Sequence, residues 1–124
     1  MIPLLSQSES TPEVVQIFLK DLRLSKFSGD IQDDYGTRII NSTDNSIYQV
    51  LPQAVIFPKS VNDIQMALQL SAKHKFCKSI KITARGGATG TNGQSLTKGI
   101  VLDCSRYMNR INKVNLQQGW VRVE

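Results

Sequence analysis

The sequence predicts a buried strand, a helix and a second strand between residues 54 and 84, and this succession constrains the fold more than any other feature. The run AVIF at residues 54–57 is unbroken, rich in β-branched residues and flanked by Pro52 and Pro58, as expected of a buried strand. SVND at residues 60–63 predicts the start of a helix, and SIKITA at residues 79–84 predicts the next strand. Because a helical crossover joins parallel strands through a right-handed connection, the sequence predicts an α/β (α+β) fold with a small, mostly parallel sheet and flanking helices.

The helix of this crossover should begin at a capping box, since Ser60 and Asp63 have the required spacing. Its predicted apolar face consists of Val61, Ile64, Ala67, Leu68 and Ser71. Lys73, His74 and Lys75 are expected to close it, because positive charge stabilises the carboxyl end of a helix.

Three further segments are predicted ahead of this crossover. A helix should follow the capping-box pair Ser10 and Glu13, with Pro12 in its first turn, and end at residues 25–29. Its apolar face is Val14, Val15, Phe18, Leu19 and Leu22. Residues 31–40 are ambiguous but can form a second, short helix, and residues 41–46 (NSTDNS) are turn formers, with Asp44 expected to cap a helix or form an Asx-turn.

After residue 98 the pattern is one of strands. GIVLD at residues 99–103 predicts a third strand, and INKVNL and WVRVE on either side of QQG predict a C-terminal β-hairpin with Trp120 and Val121 in its core or cover. We therefore divide the chain into an N-terminal helical segment, residues 1–40, and a second part, residues 41–124. Because residues 119–124 stop within a strand-like alternation, we expect an N-terminal fragment of a longer protein.

Charge and cysteine content exclude several classes of protein. The chain has 124 residues and a net charge of +5, which permits an anionic partner without naming one. No apolar run reaches the roughly 18 residues of a membrane span, and no signal peptide is recognised, so we expect a cytoplasmic protein. Cys77 and Cys104 are far apart and His74 is the only histidine, so neither a zinc site nor a CxxC pair is predicted, and both thiols are expected to be reduced and near a core.

Residues 84–95, ARGGATGTNGQS, combine four glycines with short polar side chains and no carboxylate. They follow the carboxyl end of a predicted strand, where open α/β sheets bind ligands. They also lie in an interval between Asp63 and Asp103 that has no acidic residue. Glycine permits positive φ or close approach of a ligand, successive N–H groups can form an anion site, and Arg85 adds a fixed positive charge. Composition alone leaves a phosphate cradle and a structural turn equally open.

Two known phosphate-binding patterns do not fit this loop. A P-loop requires Lys-Ser or Lys-Thr after its last glycine, and a dinucleotide fingerprint requires a glycine where Ala88 stands. The glycines at positions 87, 90 and 93 instead recur every third residue, and the loop leads into another strand. The loop is therefore neither a nucleoside-triphosphatase loop nor a Rossmann turn.

Four segments together resemble the start of the FAD-binding domain of the vanillyl-alcohol oxidase/PCMH superfamily. They are the strand at residues 54–57 with Pro58 and its helix, the glycine loop, the run DCSRYMNRI at residues 103–111, and the strand VRVE at residues 121–124. Within that superfamily the chain looks most like bacterial FAD-linked oxidases that begin with a segment similar to STDNSIYQ, residues 42–49. The resemblance covers roughly residues 40–124 and implies the first subdomain of the PCMH-type FAD-binding fold.

The resemblance implies a flavoprotein that oxidises D-2-hydroxy acids, notably D-2-hydroxyglutarate or D-lactate, and has an iron–sulfur region further along its chain. It implies that the loop binds the FAD diphosphate, at Arg85, Gly86, Gly87, Ala88, Thr89, Gly90, Thr91, Asn92, Gly93, Gln94 and Ser95. Ala88 departs from relatives that often have glycine there, and alanine disfavours positive φ. No catalytic residue and no metal ligand are predicted in these residues, and the isolated chain is expected to be inactive.

Two other functions remain as alternatives. The lysine-rich interval permits a small basic module that binds RNA or another polyanion, although its few aromatic residues do not alternate with the basic ones. An inert structural domain with a glycine turn is the third possibility. The predicted partners are thus a small 2-hydroxy acid, no nucleic acid, no integral membrane segment, and, for the isolated chain, a second copy that covers an exposed sheet edge.

Overall fold

A computed structural model describes residues 10–73 and 79–124. The elements follow in the order α1 (Glu13–Leu24), β1 (Asp30–Gln32), α2 (Tyr35–Ile40), β2 (Ala54–Phe57), α3 (Val61–Lys73), β3 (Ile82–Arg85), β4 (Ile100–Asp103), β5 (Ile111–Asn115) and β6 (Trp120–Val123). His74, Lys75, Cys77 and Lys78 lie outside the described residues, so the predictions for them are not addressed.

The first four strands form one sheet in the order β1-β2-β4-β3. β4 lies between β2 and β3 and is parallel to both, whereas β1 is antiparallel to β2. The predicted mostly parallel sheet is confirmed, and the crossover strands β2 and β3 are parallel with β4 inserted between them. Because β3 and β4 are parallel, the glycine loop between them is not a hairpin turn.

Alternation along β2 and β4 divides the core into two layers. Ala54 and Ile56 of β2, with Ile100 and Leu102 of β4, pack against the buried faces of α1 and α3. Val55, Phe57 and Val101 face the other way and form a smaller cluster with Tyr107. The predicted apolar face of α1 is confirmed, because Val14, Val15, Phe18, Leu19 and Leu22 all pack in the larger layer. Cys104 packs there too and is a free thiol.

The faces and ends of the two long helices differ in part from prediction. Val61 and Leu68 are exposed, and Leu70 packs against the core together with Ile64 and Ala67. The predicted face of α3 was therefore wrong at two positions, because the layer shared with α1 selects a different stripe of the helix. The capping box at Ser10 is also wrong, since α1 begins at Glu13 with Pro12 as its N-cap and no side-chain cap.

The capping box predicted for α3 is half formed. The backbone N–H of Asp63 donates to Oγ of Ser60 at 3.3 Å. The Asp63 carboxylate, which is buried, does not complete the box at Ser60 and instead accepts from the N–H groups of Lys59 at 2.9 Å and Ser28 at 2.8 Å. The hydroxyl of Ser28 donates to it as well, at 2.8 Å. Asp63 thus joins the start of α3 to the chain that follows α1.

Residues 31–40 are not one helix. Residues 30–32 pair with β2, and the helix α2 begins only at Tyr35, where Oδ1 of Asp34 accepts the N–H of Thr37 at 2.9 Å. The N-terminal segment, which was predicted to be helical, therefore contributes the edge strand β1 to the sheet. Its helix α1 packs in the same core as β2 and β4. The strand predicted from residue 79 is also shorter, since β3 begins where its pairing with β4 begins, at Ile82.

The predicted C-terminal hairpin is confirmed as β5 and β6, which pair with each other. Direct pairing of Ile111 with Val123 and of Val114 with Val121 places these four side chains on one side; we call it the aliphatic face. Each of the four is more than half exposed, so Val121 is not part of a buried hairpin core, which was one of the two predicted places for it. The opposite side carries Trp120, whose ring lies 5.5 Å from the ammonium of Lys113 and 5.9 Å from the guanidinium of Arg122.

Candidate functional site

The carboxyl ends of β2, β3 and β4 meet at one edge of the sheet, and a cleft of about 390 Å³ opens there. Its walls include the strand-end residues Phe57, Arg85 and Asp103 and the first loop residues Gly86, Gly87 and Ala88. The predicted position of a ligand site, beyond the carboxyl ends of parallel strands, therefore coincides with a cleft. Thr89, Gly90, Thr91, Asn92, Gly93, Gln94 and Ser95 do not line it.

Within the described structure, neither the backbone conformation nor a lack of space requires glycine at Gly86 or Gly87. Neither has a positive φ. A Cβ at Gly86 would meet nothing within 4 Å, and one at Gly87 would make only an ordinary contact, 3.7 Å from the Thr89 methyl group. Since both residues line the cleft, the absence of side chains keeps its floor open to an occupant.

The other loop glycines serve the loop itself. At Gly90 the side-chain amide of Gln94 occupies the place that a Cβ would need. Oε1 of the same glutamine accepts the N–H of Asn92 at 3.1 Å. Gly93 has a φ of +72° and lies against the Tyr48 ring. Positive φ, one of the two predicted uses of glycine, thus applies in this loop to Gly93 alone.

Ala88 has a φ of 55°, and no other non-glycine residue has a positive φ in ranges 10–73 and 79–124. The resemblance implied that glycine is common at this position, and the backbone adopts the conformation that glycine favours. Such a conformation costs an alanine about 1–2 kcal/mol and persists only where neighbouring contacts hold it. The strained residue faces the cleft, beside Gly86 and Gly87.

The backbone N–H groups at the start of the loop are available to a ligand. Within the described residues, the N–H groups of Gly86, Gly87 and Ala88 donate to no protein acceptor. Successive N–H groups of this kind beside a cleft suit an anion with several oxygen atoms. The expectation of a backbone-lined anion site is consistent with this arrangement.

Arg85 does not point freely into the cleft. Its Nη1 donates to the Thr43 carbonyl at 2.8 Å, and its Nε lies 3.9 Å from Oδ2 of Asp103. The side chains of Arg85 and Asp103 are only 11% and 10% exposed. Asp103 also accepts from the N–H and the hydroxyl of Ser105. The predicted positive charge at the loop entrance is therefore largely used to neutralise Asp103, which would otherwise repel an anion.

A second arginine, Arg106, lines the cleft and was not among the predicted site residues. Its guanidinium lies 3.5 Å from the centroid of the Phe57 ring and 3.3 Å from Oδ2 of Asp30. A hydrogen bond from the Tyr107 hydroxyl is the main cause that lowers the pKa of Asp30, with Arg106 and Lys59 adding to it. The signal that could have found Arg106 is its place just beyond the carboxyl end of a parallel strand.

Asp44 forms the predicted Asx-turn, since its Oδ1 accepts the N–H of Ser46 at 2.9 Å. Its other oxygen accepts the hydroxyl of Ser95, at 3.0 Å, from within the glycine loop. Hydrogen bonds from Ser46 are the main cause that lowers the pKa of Asp44, and Ser95 and the charge of Arg85 lower it further. The contact with Ser95 was not predicted, because no local pattern reveals a partner 51 residues away.

Comparison with known proteins decides the family. Residues 52–124 match the family described as FAD binding domain. The chain belongs to this FAD-binding domain family. The glycine loop, Arg106 and most of the residues that line the cleft lie within the matched residues, whereas Ile40 and Asn41 precede them.

Several relatives of this FAD-binding domain are named D-2-hydroxyglutarate dehydrogenase. The Escherichia coli (strain K12) protein is 48% identical over 124 residues, which is 100% of this chain and 12% of that protein. The Pseudomonas putida protein is 52% identical over 107 residues, 86% of this chain and 10% of that protein. The chain therefore spans about one eighth of the length of these relatives.

Solved structures share the fold at low sequence identity. An alkyldihydroxyacetonephosphate synthase superposes with a TM-score of 0.67 at 19% identity, covering 86% of this chain and 22% of the other. The BBE-like 1 protein of Physcomitrella patens superposes with a TM-score of 0.61 at 17% identity, covering 78% of this chain and 21% of the other. In residues 10–73 and 79–124, no helix has both the length and the apolar character needed to span a bilayer.

Proposed function

We propose that the cleft at the carboxyl edge of the sheet binds the diphosphate of FAD. The observation that carries this is the pair Gly86 and Gly87, whose missing side chains leave open space in the cleft that no part of the described chain uses. The available N–H groups from Gly86 to Ala88 suit the diphosphate oxygens, and Arg106 offers a partly exposed positive charge in the same cleft.

On this proposal the chain is the diphosphate-binding portion of a longer flavin-dependent dehydrogenase that oxidises a D-2-hydroxy acid, with D-2-hydroxyglutarate as first candidate. The whole-chain identity to proteins of that name supports the substrate class. FAD would supply the hydride acceptor. The residues of this chain would bind and orient the cofactor through its diphosphate, and we assign none of them to the chemistry of the substrate. We also propose a cytoplasmic location, which fractionation of cells would test.

The test is made on the full-length protein that contains this chain. We expect a yellow protein that releases FAD on denaturation, and reduction of its flavin by D-2-hydroxyglutarate but not by the L enantiomer. A colourless full-length protein that retains polyuridylate would overturn the proposal in favour of the RNA-binding alternative, which no described feature or comparison supports.

A substitution series tests the cleft itself. Gly86→Leu and Gly87→Leu place a side chain in open space at residues without positive φ, so the apoprotein should keep its unfolding midpoint. The Kd for FAD should rise at least about 10-fold, or ~1.4 kcal/mol. Gln69→Leu on the exposed surface of α3 is the matched control and should leave the Kd unchanged. Unaltered FAD affinity in both glycine variants would show that the cofactor binds elsewhere.

A further inference from the structure

Residues 43–45, which we call the clasp, contact the glycine loop at its start, middle and end. The three hydrogen bonds run from Nη1 of Arg85 to the Thr43 carbonyl at 2.8 Å, from the Asn45 N–H to the Ala88 carbonyl at 3.1 Å, and from Oγ of Ser95 to Oδ2 of Asp44 at 3.0 Å. Each bond joins parts of the chain more than 40 residues apart, so the clasp restrains the loop as a whole.

The clasp is itself held in place. The N–H of Val50 donates to the Ser42 carbonyl at 2.8 Å, and Thr43 pairs with Gln49 in an isolated antiparallel bridge. Immediately before it, the N–H and the hydroxyl of Ser42 both donate to the Ile39 carbonyl in α2. The clasp is thus anchored on α2, and its hydrogen bonds fix the position of the glycine loop relative to that helix.

Of these three hydrogen bonds, the one between Ser95 and Asp44 joins two side chains, whereas the other two involve backbone atoms. Ser95 is 7% exposed, and its one hydroxyl proton is donated to Asp44. That proton is therefore not available to a phosphate oxygen. Asp44 divides its two oxygens between its own turn, through the Ser46 N–H, and the loop. It does not line the cleft, so any effect it has on a ligand must pass through the loop.

We infer that Asp44 is a positioning residue for the FAD diphosphate cradle, acting through Ser95 to hold the loop in its binding conformation before the cofactor arrives. The inference rests on the proposed function. Ordering a loop on binding reduces affinity, and a loop that is already ordered avoids that cost. The loop needs such support because Ala88 lies in a strained conformation facing the cleft, and strain of this kind persists only where surrounding contacts enforce it.

The experiment compares Asp44→Ala, Ser95→Ala and the double variant in the full-length protein after removal of flavin, with FAD and riboflavin as probes. Each single variant should raise the Kd for FAD about 10-fold, as loss of a hydrogen bond to a charged group implies. The double variant should be no weaker than the weaker single variant, because both changes remove the same bond. Riboflavin, which has no phosphate, should bind equally to all of them.

Two controls separate positioning from general damage. Ser95→Thr keeps the hydroxyl and should retain wild-type affinity for FAD, and Asp33→Ala removes an exposed carboxylate that pairs with Arg23 elsewhere and should do the same. Equal loss of FAD and riboflavin affinity, or additive losses in the double variant, would overturn the inference. Wild-type FAD affinity in both single variants would also overturn it while leaving the proposed function intact. A wild-type protein without FAD would overturn both.

Discussion

The backbone N–H of Asn45 donates to the carbonyl of Ala88 at 3.1 Å, and Ala88 holds a φ of 55°. The hydrogen bond fixes the peptide that follows Ala88, so the clasp and the strained residue form one arrangement. From the sequence, positive φ would be expected at the two glycines before Ala88 rather than at the alanine itself. Because the alanine has the left-handed conformation instead, the stability of the fold should depend on which side chain stands at position 88.

Ala88→Gly should therefore be neutral or stabilising, by up to about 1 kcal/mol, because relief of the left-handed strain competes with the greater backbone freedom of glycine in the unfolded state. Ala88→Val should lower the free energy of unfolding by about 1–3 kcal/mol, since a β-branched residue tolerates this region poorly. Urea unfolding of the two variants measures both values. A valine variant as stable as wild type would show that φ at this position is not positive.

Arg106 should contribute to FAD affinity, and Arg85 should contribute mainly to stability, because Arg85 is already engaged by Asp103 and Thr43. Arg106→Gln should raise the Kd for FAD about 10-fold, as expected for one charge-assisted hydrogen bond, and should make the affinity less dependent on salt. Fluorescence titration at two salt concentrations measures this. Arg23→Gln, at an exposed ion pair away from the cleft, is the control, and an equal effect in both variants would contradict the prediction.

Asp63 should make the stability of the fold depend on pH in the acid range. Burial raises the pKa of its carboxyl, but the hydrogen bonds from Ser28, Lys59 and Ser60 outweigh burial and lower the pKa below 3.8. A lowered folded-state pKa means that the stabilisation is complete above pH 3.8 and is lost as the pH falls through the folded-state value. Asp63→Ala should cost about 2–4 kcal/mol at pH 7, because it removes the carboxylate that accepts three hydrogen bonds from Ser28 and Lys59.

Asp63→Asn separates these two effects. It keeps one oxygen as acceptor but cannot titrate, so the difference in unfolding free energy between pH 7 and pH 3 should shrink relative to wild type. Asp33→Asn, an exposed carboxylate, should leave that difference almost unchanged. Denaturant titrations at both pH values provide the comparison, and an undiminished pH dependence in Asp63→Asn would show that other carboxyl groups dominate acid unfolding.

The isolated 124-residue chain should self-associate through the aliphatic face of the hairpin rather than through the sheet edge. Four exposed aliphatic side chains lie together there, and a two-stranded hairpin alone is marginally stable in water. The double variant Val114→Lys and Val121→Lys should sediment as a monomer at concentrations where wild type is oligomeric. Gln65→Lys with Gln69→Lys adds the same charge on exposed positions of α3 and should leave the oligomer intact.

Local patterns were sufficient to predict most of the elements and the place of the site. Unbroken apolar runs identified β2 and β4, because both faces of these strands are buried, and turn chemistry identified the hairpin. The position of the glycine loop followed from the direction of β3, since ligands gather where parallel strands end. The edge strand Asp30–Gln32 was missed because three partly buried residues are too few to show a period.

Contacts between distant parts of the chain could not be predicted in this way. The bond from Ser95 to Asp44 depends on where α2 leaves the clasp, and the positive φ of Ala88 depends on the bond from Asn45. The engagement of Arg85 by Asp103 follows from the register of β3 with β4, in which these two residues are paired. Each of these features depends on the assembled fold. None of them can be predicted from the residues that are adjacent in the sequence.

The strand order β1-β2-β4-β3 also has a consequence for synthesis on the ribosome. β3 pairs only with β4 among the described strands, and β4 is the last of the four to be made. Until residue 103 has left the exit tunnel, β3 has no partner and the apolar faces of α1 and α3 rest on an incomplete layer. The sheet can therefore be completed only after β4, one of its two central strands, has emerged, and until then the nascent chain would be most exposed to chaperones and to aggregation.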